Sequence, residues 1–215
     1  MKVAVFDVCG TLYDANTTSE FIAYYLRKKR RPRYWILQVS RARIMTPIWL
    51  ALQRLVARDI FRELTIRLLG NESEQAVRAE VSGFVQGVLR RRKKHATMKL
   101  LAELKQQGYK IVLASGSLSI VVEAIAVEVE AEVTLACSLE EIGPKLTGRY
   151  SHDIAGRKDE IVRQRFPTCS DLVVVTDNRE DAKLLEMAST KIVVCPVSRR
   201  WRWCGHLPEG SRFVE

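Results

Sequence analysis

The chain opens on Val3-Ala4-Val5-Phe6-Asp7-Val8-Cys9-Gly10-Thr11-Leu12. Four apolar residues run straight into a lone carboxylate. Gly10-Thr11 then lets the backbone turn sharply and offer N–H groups to whatever Asp7 faces. This pattern reads as a buried strand that ends in an anion-binding loop.

The pattern then becomes helical from residue 14 to residue 94. Thr17-Thr18-Ser19-Glu20 has capping-box form, with a hydroxyl for the orphan N–H groups and a Glu reaching back. It predicts a helix through Phe21, Ile22, Tyr25 and Leu26 into the cluster Arg27-Lys28-Lys29-Arg30-Arg31. Pro32 suits the first turn of a second helix carrying Tyr34, Trp35, Ile36 and Leu37. Pro47 starts a third and long helix that Gly70 stops. In it Leu52, Leu55, Val56, Ile60, Leu64 and Leu68 keep helical spacing, while Arg54, Arg58 and Arg62 stack on one polar flank. A fourth helix follows Asn71-Glu72-Ser73-Glu74 and ends in Arg90-Arg91-Arg92-Lys93-Lys94. The expectation is two lobes: an all-helical cap, 14–94, inserted into a second unit made of 1–13 and 95–215.

That second unit alternates strands and helices. Met98–Leu104 reads as a helix stopped by Gly108, Lys110–Ala114 as a buried strand and Ile120–Val127 as a helix. The apolar runs Leu172–Thr176 and Ile192–Val197 flank a helix through Ala182–Met187. Such alternation predicts an α/β fold, a Rossmann-like three-layer parallel sheet covered on both faces. Ligands of these sheets sit outside the carboxyl ends of the strands. Asp7, Ser115 and Asp177 are each the first polar residue after a strand.

Three further stretches join the first. Ala114-Ser115-Gly116-Ser117 offers a hydroxyl and a flexible backbone suited to a phosphate oxygen. Gly156-Arg157-Lys158-Asp159-Glu160-Ile161 places a Lys at a helix start. Thr176-Asp177-Asn178-Arg179-Glu180-Asp181 puts two carboxylates four apart just past a strand. Each alone has an ordinary structural explanation: a strand-to-helix turn, a solvated Lys, an N-cap. As an ordered set they resemble the four motifs of the haloacid dehalogenase-like hydrolases, whose first motif is usually Asp-x-Asp-Gly-Thr-Leu. Lys145-Leu146-Thr147-Gly148 is similar to the short hairpin before the Lys motif in the phosphoserine phosphatase-like branch, which also inserts a helical cap after the first motif. Asp14–Leu26 looks more like a bacterial group that includes phosphatidylglycerophosphate phosphatases. Asn16 stands where phosphoserine phosphatases carry an acidic residue that reads the substrate amine.

The resemblance implies phosphoryl transfer through a covalent intermediate, with Asp7 as nucleophile. It implies Mg2+ on Asp7, the backbone carbonyl of Cys9 and Asp177, with Asp181 beside the metal or orienting Lys158. Lys158 supplies a second positive charge, and Thr11, Ser115 and Gly116 face the transferring oxygens. Cys9 departs from the pattern, since the family's second Asp protonates the leaving alcohol and later deprotonates water. A thiol is a weak base while protonated, and losing general acid–base help costs roughly 10²–10⁴ in rate. The implied activity is slow, or confined to leaving groups that need no proton, or replaced by binding of a phosphorylated ligand without turnover. A Cys that simply fills a small space is the structural alternative.

Composition narrows the setting. Lys and Arg number 35 against 25 Asp and Glu in 215 residues, a formal charge of +10. Residues 14–94 hold 18 basic and 7 acidic residues, so the cap accounts for the whole excess. Three readings fit such a surface: ordinary solvation, attraction of an anionic small or lipid-borne phosphate, or contact with an anionic membrane face. No nucleic-acid motif is present. The five cysteines, Cys9, Cys137, Cys169, Cys195 and Cys204, lack zinc-like spacing and read as reduced thiols, and His95, His152 and His206 are scattered. With no apolar run long enough to span a bilayer, the expected address is cytoplasmic, with a peripheral membrane contact open.

Overall fold

The computed structural model describes residues 1–42, 45–47, 49 and 59–215. Its centre is a seven-stranded sheet ordered β4-β3-β2-β1-β5-β6-β7. The strands are β1 Lys2–Phe6, β2 Lys110–Leu118, β3 Val133–Ile142, β4 Lys145–His152, β5 Asp171–Thr176, β6 Thr190–Val194 and β7 Arg212–Val214. Only β3 and β4 pair antiparallel, as a hairpin; every other neighbouring pair is parallel. β1, β2 and β5 are buried along nearly their whole length, the mark of strands covered on both faces. The Rossmann-like α/β arrangement is therefore present. The sequence reading misses β3, whose inward and outward residues are only half-buried, and the short β7.

Among the described residues, the stretch between β1 and the helix α6 His95–Gln106 is helical. Before α6 come α1 Thr17–Lys28, α2 Arg33–Arg41, α3 Ile60–Arg67, α4 Glu74–Arg78 and α5 Val81–Gly87. After it come α7 Ser119–Val129, α8 Lys158–Arg165 and α9 Ala182–Glu186. One apolar cluster runs from Phe6 and Val8 of the sheet through Phe21, Ile22 and Leu26 of α1 to Ile66, Leu69 and Phe84. The insertion thus shares its core with one face of the sheet. The chain enters and leaves it at adjacent points: Asp14 N–H donates to the Arg92 carbonyl at 2.9 Å, and Lys94 N–H to the Leu12 carbonyl at 2.9 Å.

Three local expectations change. The cap of α1 is Asn16, whose side chain accepts the Ser19 N–H at 3.0 Å, because the hydroxyls of Thr17 and Thr18 are engaged with β2. The long third helix does not run through residue 59: Asp59 leaves helical geometry and caps α3 by accepting the Arg62 N–H at 3.0 Å. Leu52, Arg54, Leu55, Val56 and Arg58 lie outside the described residues. The fourth helix is broken into α4, α5 and a 3-10 turn, Leu89–Arg92. Its breaks fall beside Glu80, which receives Lys28 at 2.5 Å and Lys29 at 3.0 Å, and after Gly87, a residue that weakens a helix interior.

Candidate active site

β1, β2 and β5 are neighbours, so Asp7 and Asp177, just past the ends of β1 and β5, meet Ser115 at one edge of the sheet; Ser115 is not the first residue after its strand as expected but lies within β2, where the register with β3 shifts. Asp7 is buried, and its N–H is held by the Val175 carbonyl of β5 at 2.9 Å. Lys158, at the first turn of α8, donates to Asp7 Oδ1 at 2.7 Å and to Asp181 Oδ2 at 2.8 Å. Thr176 also donates to Asp181 Oδ2, at 2.7 Å, which fixes that carboxylate against the ammonium. Thr11 joins the first and last motifs. Its hydroxyl donates to Asp177 Oδ1 at 2.9 Å and accepts the Asp177 N–H at 2.9 Å, and it lies 3.4 Å from Asp7 Oδ2.

Gly10 makes this convergence possible. Its φ is +74°, and a Cβ there would stand 2.0 Å from Asp177 Oδ2. Only a glycine both adopts this conformation without strain and leaves room for the carboxylate.

Charge in the pocket is unbalanced: three carboxylates, Asp7, Asp177 and Asp181, meet one ammonium. Burial pushes the Asp7 carboxyl up to about 6; Lys158 opposes the shift, while Asp181 and Asp177 add to it. Burial alone would weaken the Lys158 charge, yet Asp7 and Asp181 more than offset it and hold the ammonium above its ordinary value. Asp177 is raised mainly by burial, against the pull of Thr11 and Lys94.

These residues fit Mg2+. Oxygen donors are what a hard cation takes, and the excess negative charge is what a divalent ion neutralises. Among the described residues no three His, Cys, Asp or Glu side chains close on a single point. Mg2+ commonly uses one or two carboxylates and completes its shell with water and phosphate oxygens. Lys158 takes Asp7 Oδ1 and no oxygen of Asp177, and Thr11 takes Asp177 Oδ1, which leaves Asp177 Oδ2 and, but for the 3.4 Å approach of Thr11, Asp7 Oδ2 without a donor.

Cys9 sits in a hydroxyl cluster. Its Sγ is 3.0 Å from Ser117 Oγ and 3.2 Å from Thr17 Oγ1, and it accepts the Thr17 N–H at 3.3 Å. Ser117 Oγ and Thr17 Oγ1 are 2.7 Å apart. Cys9 remains partly open to the cleft, and burial together with the Asp7 charge raises its thiol above the ordinary range.

The cleft holds about 720 Å³ and is walled by both parts of the chain. Asp7, Cys9, Ser115, Gly116, Lys158, Asp177 and Asp181 line its floor, while Asn16, Thr18 and Ser19 come from the α1 side and Phe61, Arg62 and Glu63 from α3. All the residues picked from sequence meet here except Thr11, which lies beneath them. Sequence reasoning missed Thr17 and Ser117, and it put Arg62 on a solvated flank. The signal for Arg62 was present in Asp59, an N-cap residue before an apolar-periodic run, which starts a new helix and redirects its faces.

The haloacid dehalogenase-like hydrolase model matches residues 4–186. No curated protein matches the sequence. Among solved structures, a protein of unknown function from Bordetella pertussis Tohama I superposes with a TM-score of 0.79 at 17% identity, covering 100% of this chain and 98% of its own. A phosphoserine phosphohydrolase-like protein from Francisella tularensis gives 0.64 at 16% identity, covering 99% and 95%. A phospho-aspartyl intermediate analogue of phosphoserine phosphatase gives 0.61 at 20% identity, covering 90% and 86%. With its four motifs gathered on one sheet edge and its length matched from the first strand through α9, the chain belongs to the haloacid dehalogenase-like hydrolase family.

Proposed function

We propose that the protein is a Mg2+-dependent phosphatase that forms an aspartyl phosphate on Asp7. The observation that carries this reading is the geometry around Asp7. Lys158 holds Oδ1, Oδ2 is left for reaction, and Ser115 and Gly116 lie on the same cleft floor. A related fold has been captured as a phospho-aspartyl intermediate analogue.

Asp7 attacks phosphorus, the P–O bond to the leaving group breaks, and the electron pair departs on that oxygen. Lys158 neutralises a phosphate oxygen, and the Ser115 hydroxyl and Gly116 N–H bind the others as charge shifts onto them. Asp7, Asp177 and the Cys9 carbonyl would hold Mg2+, which would supply positive charge that screens the repulsion between the phosphate and the carboxylates. Asp181 orients Lys158. Water then cleaves the aspartyl phosphate.

Cys9 occupies the position from which a proton would reach the leaving oxygen. Burial and the Asp7 charge make its thiol a poor proton donor, and while it stays protonated it offers no base for water. Turnover is therefore slow with alkyl leaving groups and faster with acyl or aryl phosphates. The test is phosphate release from a panel of such esters by the native chain and by Asp7→Asn. Loss of release in Asp7→Asn supports the reading. Mg2+ and phosphate binding with no turnover on any ester would favour a phosphate-binding protein.

The cap's charge is partly structural, since Arg31 pairs with Glu72, Arg92 with Glu20 and Lys93 with Glu128. What favours a second contact is α2, where Trp35, Ile36 and Val39 are 70%, 59% and 64% exposed. Arg27, Arg30 and Arg41 are exposed on and near the same helix. An apolar face rimmed by cations fits an anionic lipid surface, which would bring a lipid-borne phosphate to the cleft. Co-sedimentation with phosphatidylglycerol vesicles, lost in Trp35→Ser and absent with phosphatidylcholine alone, tests it; equal binding by Trp35→Ser would contradict it. Among the described residues no helix is long and apolar enough to cross a membrane.

A further inference from the structure

Arg62 reaches out of α3 into the wall of the cleft and is used by no step above. Its Nη1 donates to Asp153 Oδ2 at 2.6 Å and its Nη2 to Asp153 Oδ1 at 2.9 Å, a two-pronged fork. Nη2 also donates to the Gly116 carbonyl at 3.0 Å and contacts Cys137 Sγ at 3.0 Å. The guanidinium lies 4.3 Å from the centre of the Tyr150 ring. Asp153 in turn accepts the Ala155 N–H at 2.9 Å, and Cys137 Sγ accepts the Ile154 N–H at 3.4 Å.

One side chain from the helical insertion is thereby tied to three segments of the sheet unit: the carboxyl-terminal part of β2, strand β3 and the loop leading into α8. Two of these segments carry site residues. Gly116 supplies the N–H assigned to the phosphate, and the loop at 153–157 sets the position of Lys158. The Nη2 group already serves three acceptors with its two hydrogens, so Arg62 has no donor there to offer a substrate without releasing the fork.

We propose that Arg62 is a positioning residue, which through Asp153 and the Gly116 carbonyl holds the phosphate-binding end of β2 and the Lys158 loop in register whenever the insertion is seated. This rests on the phosphatase reading for its effect on turnover. A displacement of about 1 Å at such groups can cost on the order of 10²-fold in rate.

The experiment combines Arg62→Gln, Arg62→Lys, Asp153→Asn and the Arg62→Gln/Asp153→Asn double variant. Hydrogen exchange of 115–118 and 154–157 is measured beside kcat and KM for an alkyl, an aryl and an acyl phosphate. The expected result is faster exchange in both segments and a kcat reduced about 10- to 100-fold by a similar factor on all three substrates. KM should change little, and the double variant should be no worse than either single one. Arg62→Lys should not restore kcat, because an ammonium cannot form the fork.

Unchanged exchange in both segments would overturn the proposal, as would a loss confined to substrates whose leaving group carries an anion, which would make Arg62 a substrate contact. If the native chain turns over no ester, the phosphatase reading fails, and the exchange result still decides the positioning role. If Arg62→Gln does not fold, Asp153→Asn carries the same comparison from the other side of the pair.

Discussion

Cys9 Sγ lies 3.0 Å from Ser117 Oγ, on the floor of the cleft beside the Asp7 carboxylate. The Thr17 N–H and the hydroxyls of Thr17 and Ser117 all converge on that sulfur, an arrangement that would equally stabilise a carboxylate. Cys9→Asp should therefore be accommodated and should raise kcat on alkyl phosphates by up to about 10²-fold, with a much smaller gain on acyl phosphates. Steady-state kinetics on the two substrate classes checks it; an equal gain on both would mean that proton delivery is not what the native residue lacks.

Gly10 is the second point of leverage. A Cβ at this position would stand 2.5 Å from Asp177 Cγ as well as 2.0 Å from Oδ2, and the backbone φ of +74° adds strain. Gly10→Ala should displace Asp177 and weaken Mg2+ binding by roughly 10-fold or more, a loss of the size seen when a ligand's support is removed. Calorimetric titration with Mg2+ measures it, and wild-type affinity in the variant would remove Asp177 from the metal site.

Proton and metal compete for Asp7. The carboxyl has its pKa raised to about 6 in the fold, so folding takes up a proton there between about pH 4 and pH 6. Its protonated form favours the metal-free fold in acid, and that contribution is lost as pH rises through about 6. A cation on Asp7 acts in the opposite sense, since it needs the ionised form. Thermal shifts with Mg2+ should be larger at pH 7 than at pH 5, and Asp7→Asn should flatten the difference; a shift independent of pH would argue against Asp7 as a ligand.

Lys158 is buried between Asp7 and Asp181. Lys158→Ala leaves two buried carboxylates facing each other without their cation, a change expected to destabilise the metal-free protein by about 3–5 kcal/mol and to abolish turnover. Urea unfolding of both proteins, with and without Mg2+, checks this, and Mg2+ should recover stability but not activity.

Much of this site was legible because its residues follow buried strands: an apolar run that stops at Asp7, at Ser115 or at Asp177 announces both the strand and the polar group it presents. Lys158 was legible as a Lys at a helix start where the dipole gives it no benefit. Thr17 and Ser117 were not, because a hydroxyl in a cap or a turn has a sufficient local explanation, and their meeting at 2.7 Å depends on packing between α1 and β2. Arg62 escaped because helical periodicity was carried across Asp59, where the chain leaves helical geometry and starts again. Strand β3 escaped for a different reason: it is one arm of the β3–β4 hairpin and is half-buried along most of its length, so neither a buried run nor a period of two marks it.

The central claim is covalent transfer to Asp7, and the direct measurement is to quench the enzyme in acid during turnover of an acyl phosphate and locate the bound phosphate by peptide mass spectrometry. The account predicts phosphate on Asp7, absent in Asp7→Asn. Phosphate on the Cys9 sulfur, or turnover that persists in Asp7→Asn, would contradict it.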